Sequence, residues 1–255
     1  MTSPLRVWLE QQEALLRLRL SAPKPNLVDA AMIEALDAAL AEHLDNPQLR
    51  AILIDAEGPS FSYGASVSEH LPGECRKMLT GLHALILRMV ESPVTILVAV
   101  RGKCLGGGLE LALAGHLLFI HPDSELGQPE IRLGVFAPAA SCLLPELMAP
   151  QRALDLLVSG RTISGAEAVA AGLGVETVED PEAAALAYFA KHLLSKSARS
   201  LRFAVQAARQ DYAARIRKRI ASVERLYLDE LMATRDAVEG LEAFIEKRQA
   251  VWEHR

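Results

Sequence analysis

Two glutamates stand beside turns that could assist them in proton chemistry. The first lies in residues 92–115, SPVTILVAVRGKCLGGGLELALAG. An apolar, β-branched run over 94–100, led by a proline, predicts a strand buried on both faces. Arg101-Gly102-Lys103-Cys104 follows, then Gly106, Gly107 and Gly108, then a helix-forming run over 109–114 with Glu110 in its first turn. A strand, a glycine turn and a helix present backbone N–H groups to an anion, and glycine lets the backbone approach it closely. The surroundings argue against a phosphate: Leu109-Glu110 stands where a P-loop needs Lys-Ser/Thr, and no Gly-x-Gly-x-x-Gly is spelled. An enolate oxygen, developing from a thioester while Glu110 handles the proton, suits a donor turn beside a carboxylate. The competing reading is a tight turn in which Glu110 only favours the helix N-terminus. The second glutamate is Glu130, closing the polar turn Ser124-Glu-Leu-Gly-Gln-Pro-Glu130, whose proline can take the first helical position.

The elements around them alternate. Residues 7–11 and 14–20 predict two strands across a turn, and Ala22-Pro-Lys-Pro-Asn26 a loop. Asn26, with Asp29 three residues on, predicts the cap of a helix whose Val28, Met32, Leu36, Leu40 and Leu44 recur every four residues. Residues 51–54 predict a short buried strand, Phe61-Ser-Tyr-Gly-Ala-Ser66 a small-residue loop, the stretch to about 91 a helical region, and 117–120 another strand. Strand–helix alternation through the first two-thirds implies α/β class with parallel βαβ units. From about 181 the pattern is helical, with a basic cluster at Arg215, Arg217, Lys218 and Arg219 that reads best as a solvated face. Residues 239–252 predict a closing amphipathic helix with Leu241, Phe244, Ile245 and Trp252, whose apolar surface would pack on another subunit.

The chain has 255 residues, of which 51% are hydrophobic and 23% charged, which places it among packed globular proteins. A net charge of −5 argues against a nucleic-acid partner. No leader pattern and no apolar run of about 18 residues is seen, so neither a signal peptide nor a membrane partner is expected. Cys75, Cys104 and Cys142 show no disulfide or zinc spacing, and a cytoplasmic location fits. Cys104 and Cys142 read as small buried hydrophobes; a nucleophilic role would need a histidine that no motif positions. His116 and His121 carry no metal-ligand pattern, and no metal is expected.

Three ordered blocks, Phe61-Ser-Tyr-Gly-Ala-Ser66, Gly102-Lys-Cys-Leu-Gly-Gly-Gly-Leu-Glu110 and Gly127-Gln-Pro-Glu-Ile-Arg-Leu-Gly134, resemble the crotonase, or enoyl-CoA hydratase/isomerase, superfamily. A fourth, Glu239-Gly-Leu-Glu-Ala-Phe-Ile-Glu-Lys-Arg248, resembles its C-terminal signature, so the likeness spans nearly the whole chain. The resemblance implies a spiral of ββα turns over 1–197 and a helical trimerisation region over 198–255, assembled as a trimer or a dimer of trimers. It implies that the N–H groups of Ala65 and Gly107 form an oxyanion hole for an acyl-CoA thioester. Glu110 and Glu130 match the two carboxylates of the family's hydratases. Tyr63 would hold the adenine through the backbone of its loop, and Phe244 and Lys247 would contact CoA, which enters as substrate rather than cofactor.

Adding water to a conjugated thioester needs one group to activate the water and one to protonate the carbanion, so the pair favours a hydratase. Two departures from common hydratases, Gly64-Ala65-Ser66 and Val135-Phe-Ala-Pro-Ala-Ala-Ser-Cys142-Leu-Leu-Pro145, together with Ser66-Val-Ser-Glu-His70 after Ala65, are similar to members that hydrate an alicyclic dienoyl thioester by 1,4-addition. Phe136, Ala137 and Pro138 stand where a flat ring would need an apolar wall, with ordinary core packing as the equal alternative. The rivals are a general short-chain or alicyclic enoyl-CoA hydratase and, from another class, an RNA-binding or silent homologue. An acidic chain that keeps both glutamates disfavours the latter.

Overall fold

The computed structural model describes residues 3–22 and 26–255. Its elements, in order, are β1 (Leu5–Glu10), β2 (Leu15–Leu20), α1 (Ala30–His43), β3 (Ala51–Ala56), α2 (Cys75–Val90), β4 (Thr95–Val100), β5 (Lys103–Leu105) and α3 (Gly107–Ala114). Next come β6 (Leu117–Ile120), β7 (Glu125–Gly127), a 3-10 turn (Pro129–Leu133), α4 (Pro138–Leu147), α5 (Pro150–Ser159), β8 (Thr162–Ser164) and α6 (Gly165–Ala170). The chain closes with β9 (Glu176–Thr177), α7 (Pro181–Tyr188), α8 (Ala198–Arg225) and α9 (Arg235–Glu246).

One sheet has the order β1-β2-β3-β4-β6-β9 and a smaller one the order β5-β7-β8. Among the described residues, only the β1–β2 hairpin is antiparallel in the large sheet. Strand pairs β4–β5 and β6–β7 each give one strand to either sheet before the chain turns helical. That is the ββα spiral. β4 is buried at all six positions, as its unbroken apolar run requires. The main core fills the space between the large sheet and α1, α2, α3 and α4, with Leu36, Ile54, Leu85, Ile96, Val98 and Leu111 at its centre. No helix among the described residues is long and apolar enough to cross a membrane.

Several sequence expectations are corrected. Asp29 alone caps α1, accepting from Met32 N; Asn26 sits at φ 54° and spends its amide on the Glu57 carbonyl. Residues 23–25 of the predicted loop lie outside the described residues. The polar turn over 124–130 contains strand β7. The last helix stops at Glu246, where Lys247 adopts φ 57°, and the tail folds back on it: Val251 N donates to Glu239 and Glu253 N to Asp236. Leu241 is buried within the same chain, whereas Phe244 and Ile245 stay exposed. The arginines of the basic cluster on α8 lie on a solvated face, as the sequence indicated, with Arg215 and Arg219 paired to Glu146 and Arg217 to Glu91.

Candidate active site

The loop over 61–66 and the turn over 102–108 lie against each other along their backbones. Phe61 N donates to Arg101 O, Ser62 N to Lys103 O and Leu105 N to Ser62 O. The buried Ser62 hydroxyl donates to Asn26 O at 2.6 Å and accepts from Gly64 N at 3.2 Å, fixing the loop from behind. Gly64 takes φ +110° and Gly106 φ +50°, which Cβ-bearing residues seldom adopt, so these glycines let the two turns meet. A Cβ added to Gly107 would lie 3.2 Å from Ala65 N. The amides of Ala65 and Gly107 are therefore neighbours, and neither has a hydrogen-bond partner among the described residues. Gly107 opens α3, so its N–H is one of those a helix start leaves unpaired. Two such amides side by side can receive one oxyanion.

Glu110, in the first turn of α3, is almost fully buried. Its Oε1 accepts from Ala140 N at 2.8 Å, at the N-terminus of α4. Burial pushes its carboxyl above the usual range; the amides of Ala140 and Ala139 and the charge of His83 oppose that rise. Glu130 follows Pro129 in the 3-10 turn, and a Cβ added to Gly106 would lie 2.7 Å from Glu130 Oε1. Burial first, then the charge of Glu110, pushes Glu130 up to about 8. The buried Gln128 amide, oriented so that its NH2 faces acceptors, donates to both Glu130 oxygens at 3.1 Å. Both carboxyls are thus raised and interact with each other, and such a pair can divide the roles of base and acid.

A cavity of about 430 Å³, a size suited to a small organic moiety, opens onto Ala65 and Glu130, while Gly107 and Glu110 lie outside its lining. Gly64, Ala65, Gly106 and Glu130 line its polar side, and Val67, Leu133, Val135 and Leu241 its apolar side. Tyr63 and Phe244, both half-exposed, flank its mouth, and His70 also faces it. Lys247 caps α9 and is not among the lining residues. The apolar wall comes from Leu133 and Val135, while Phe136 stacks edge-on against Tyr227 at 5.2 Å and Ala137 and Pro138 are buried at the start of α4. The thiols of Cys104 and Cys142 are buried, and burial raises both, Cys142 to about 12, so neither is poised as a nucleophile. His116 donates to Met89 O, and His121 accepts from Asp123 N. Among the described residues no three His, Cys, Asp or Glu side chains gather as a metal set.

Gln128, His83 and Tyr227 escaped the sequence reading. Gln128 was within reach, since it sits two residues before Glu130 in a block already singled out. His83 also left a trace: it falls on the buried face of α2 with Leu79, Leu82 and Ile86, where a polar residue needs a reason. Tyr227 joins the site only through tertiary folding.

The enoyl-CoA hydratase/isomerase family profile matches residues 10–255. The chain is 62% identical over 254 residues to the cyclohexa-1,5-dienecarbonyl-CoA hydratase of Thauera aromatica, covering 100% of this chain and 98% of that one. A probable enoyl-CoA hydratase of Bacillus subtilis is 32% identical over 240 residues, 91% of this chain and 92% of its own. Among solved structures, an enoyl-CoA hydratase/isomerase of Pseudoalteromonas atlantica superposes with a TM-score of 0.83 at 25% identity, covering 98% and 99% of the two chains. A putative enoyl-CoA hydratase of Mycobacterium avium paratuberculosis gives 0.87 at 23% identity with the same coverage, a likeness of fold.

Proposed function

The chain belongs to the enoyl-CoA hydratase/isomerase family, and we propose that it adds water to cyclohexa-1,5-diene-1-carbonyl-CoA, giving 6-hydroxycyclohex-1-ene-1-carbonyl-CoA. It is a hydro-lyase acting on an acyl-CoA thioester, and CoA enters as part of the substrate. The observation that carries the reading is two buried, interacting carboxyls and two neighbouring amides with no partner among the described residues, in a chain with a full-length likeness to the Thauera aromatica hydratase.

In the proposed reaction the thioester oxygen sits on the N–H groups of Ala65 and Gly107. Glu110, ionised, takes a proton from water as its oxygen bonds to the β-carbon. The electrons of the attacked double bond pass into a dienolate whose oxygen the two amides stabilise more strongly than the ground-state carbonyl. Collapse of the dienolate draws a proton from Glu130 to the far end of the diene, para to the new hydroxyl. One proton is gained by Glu110 and one lost by Glu130, so a transfer between them or through solvent resets the site. Leu133, Val135, Val67 and Leu241 offer the apolar wall a flat ring needs, Tyr63 and Phe244 stand where the CoA portion would leave the cavity, and Lys247 would meet CoA beyond the mouth.

The reaction belongs to anaerobic benzoyl-CoA breakdown, and three unpaired cysteines suit the reducing cytoplasm we assign. Subunits assemble through residues 198–255 as a trimer or a dimer of trimers. The exposed Phe203, Leu226, Phe244 and Ile245 supply apolar surface for that contact. Substrate choice is tested by kcat/KM for the cyclic dienoyl-CoA and for crotonyl-CoA. The cyclic ester is expected to be much the better substrate; a preference for crotonyl-CoA would leave a general enoyl-CoA hydratase.

A further inference from the structure

We propose that His70 contacts the substrate during hydration: its Nε2 accepts a hydrogen bond from the attacking water and keeps it on the ring hydroxyl that forms. This rests on the reading of the chain as a hydratase with Glu110 as base. His70 ends a short 3-10 turn (Val67–His70) that begins two residues after Ala65. At a spacing of three residues on such a turn, side chains eclipse, and Val67 and His70 both line the cavity that opens onto Ala65 and Glu130. The ring is pinned there. Nδ1 donates to the Ser66 carbonyl at 2.8 Å, and because a carbonyl can only accept, the proton sits on Nδ1. Burial holds the ring below the usual histidine range, against the opposing bond to Ser66, so it is neutral and Nε2 carries a lone pair. Nε2 has no partner among the described residues, where the unpaired ring nitrogens sealed from solvent are those of His83 and His116. A pinned ring on a cavity wall thus holds one acceptor that no protein group occupies.

The reaction needs such an acceptor. Water brings two O–H bonds: one breaks as its proton passes to Glu110 and the oxygen bonds to the β-carbon, and the other survives as the product hydroxyl. Against the apolar wall of Val67, Leu133, Val135 and Leu241, that surviving O–H costs free energy unless something accepts from it. Glu130 is committed to the far end of the diene, para to the hydroxyl. Arg132 carries donors only, and Tyr63 stands at the mouth. His70 is the neutral acceptor left among the described lining residues. Its place suits the task, since the hydroxyl forms on the carbon next to the thioester-bearing one and the turn of His70 continues the loop that holds the carbonyl at Ala65. No proton passes to His70, whose Nε2 only orients the water and steadies the hydroxyl.

The test separates the two ring nitrogens in the full-length protein. His70→Asn keeps a donor near the position of Nδ1 for the Ser66 carbonyl and removes the cavity acceptor. His70→Gln does the reverse, placing an amide oxygen near the position of Nε2 and giving up the tie to Ser66. The readouts are kcat/KM for the cyclic dienoyl-CoA and the inhibition constant of cyclohexane-1-carbonyl-CoA, an unreactive ester with no ring hydroxyl. His70→Asn is expected to lower kcat/KM by ~10- to 100-fold, the rate equivalent of one buried hydrogen bond left unmade, with the inhibition constant changed less than about threefold. His70→Gln is expected to stay within about fivefold of wild type. His70→Asn as active as His70→Gln, or more so, would overturn the proposal and leave His70 as a brace for the loop. A loss in His70→Asn matched by an equal weakening of the inhibitor would also overturn it, since the cavity would then have changed shape. Should His70→Asn fail to fold, His70→Leu replaces it, because Leu and Gln both lack the tie and differ in the acceptor; equal activities overturn the proposal. A wild type that hydrates neither the cyclic ester nor crotonyl-CoA would instead bring down the hydratase reading itself.

Discussion

Glu130 offers the most quantitative handle on the site. As a general acid it must carry its proton, and burial together with the charge of Glu110 places its ionisation at about 8. The sign follows directly: activity that needs protonated Glu130 is present below that pH and lost above it. With ionisation at about 8, roughly nine-tenths of the enzyme holds the proton at pH 7 and roughly one-tenth at pH 9. From there kcat/KM should fall about tenfold for each further pH unit. Glu110 must be ionised, and its own upward shift puts the acidic limb above the ordinary carboxylate range. The profile is therefore a bell whose limbs belong to the interacting pair rather than to either residue alone. Initial rates of dienoyl-CoA hydration between pH 5 and 9.5, with product measured chromatographically and thioester hydrolysis as control, give the curve. Glu130→Gln keeps the shape of the side chain without its proton, and should cost at least ~10²-fold in kcat while abolishing the basic limb. A mutant with near-wild-type turnover, or one that keeps the same basic limb, would refute the assignment of Glu130 as acid.

Gly106→Ala should lower kcat by about 10²-fold with CoA-ester binding largely kept. Its Cβ would stand 2.7 Å from Glu130 Oε1 on a backbone at φ +50°, and displacing a reacting group by ~1 Å is that costly; steady-state kinetics near wild type would contradict it. Asp55→Ala should destabilise the fold by about 3 kcal/mol and lower the melting temperature by several degrees. It removes the carboxylate 2.5 Å from buried Arg17, leaving only Glu10 and Glu182 to pair that charge; an unchanged melting temperature would sink this. Deleting residues 241–255 should strip Leu241 and Phe244 from the cavity and abolish activity, so a well-folded and fully active truncated chain in sedimentation and rate measurements would overturn the proposed role of α9.

Where local chemistry dictates structure, the sequence was enough. The unbroken β-branched run became β4, the four-residue spacing of Met32, Leu36 and Leu40 became the buried face of α1, and Pro129 opened the turn that carries Glu130. What it could not convey is what distant contacts impose. Strand β7 has three residues in polar surroundings and exists because β5 and β8 bracket it. The tail after Glu246 curls back because Asp236 and Glu239 capture its amides and Arg248, pairings that no periodicity announces. The same holds at the site. Ala65 and Gly107 could be matched to a motif, but their closeness depends on the Ser62 hydroxyl and on two glycine conformations. The ring wall was sought at Phe136, the largest apolar residue of its segment. Size did not decide the matter: Leu133 and Val135 face the cavity, and Phe136 turns toward Tyr227.

The claim that this site performs a 1,4-addition is tested most directly by the position of the incoming proton. Wild-type enzyme turned over with cyclohexa-1,5-diene-1-carbonyl-CoA in D2O, with NMR of the product, reports it in one measurement. Attack at the β-carbon and proton delivery through the dienolate place a single deuterium on the ring carbon para to the new hydroxyl. Deuterium on the carbon adjacent to the hydroxyl would mean direct addition across one double bond, and would contradict the proposed division of labour between Glu110, the two amides and Glu130.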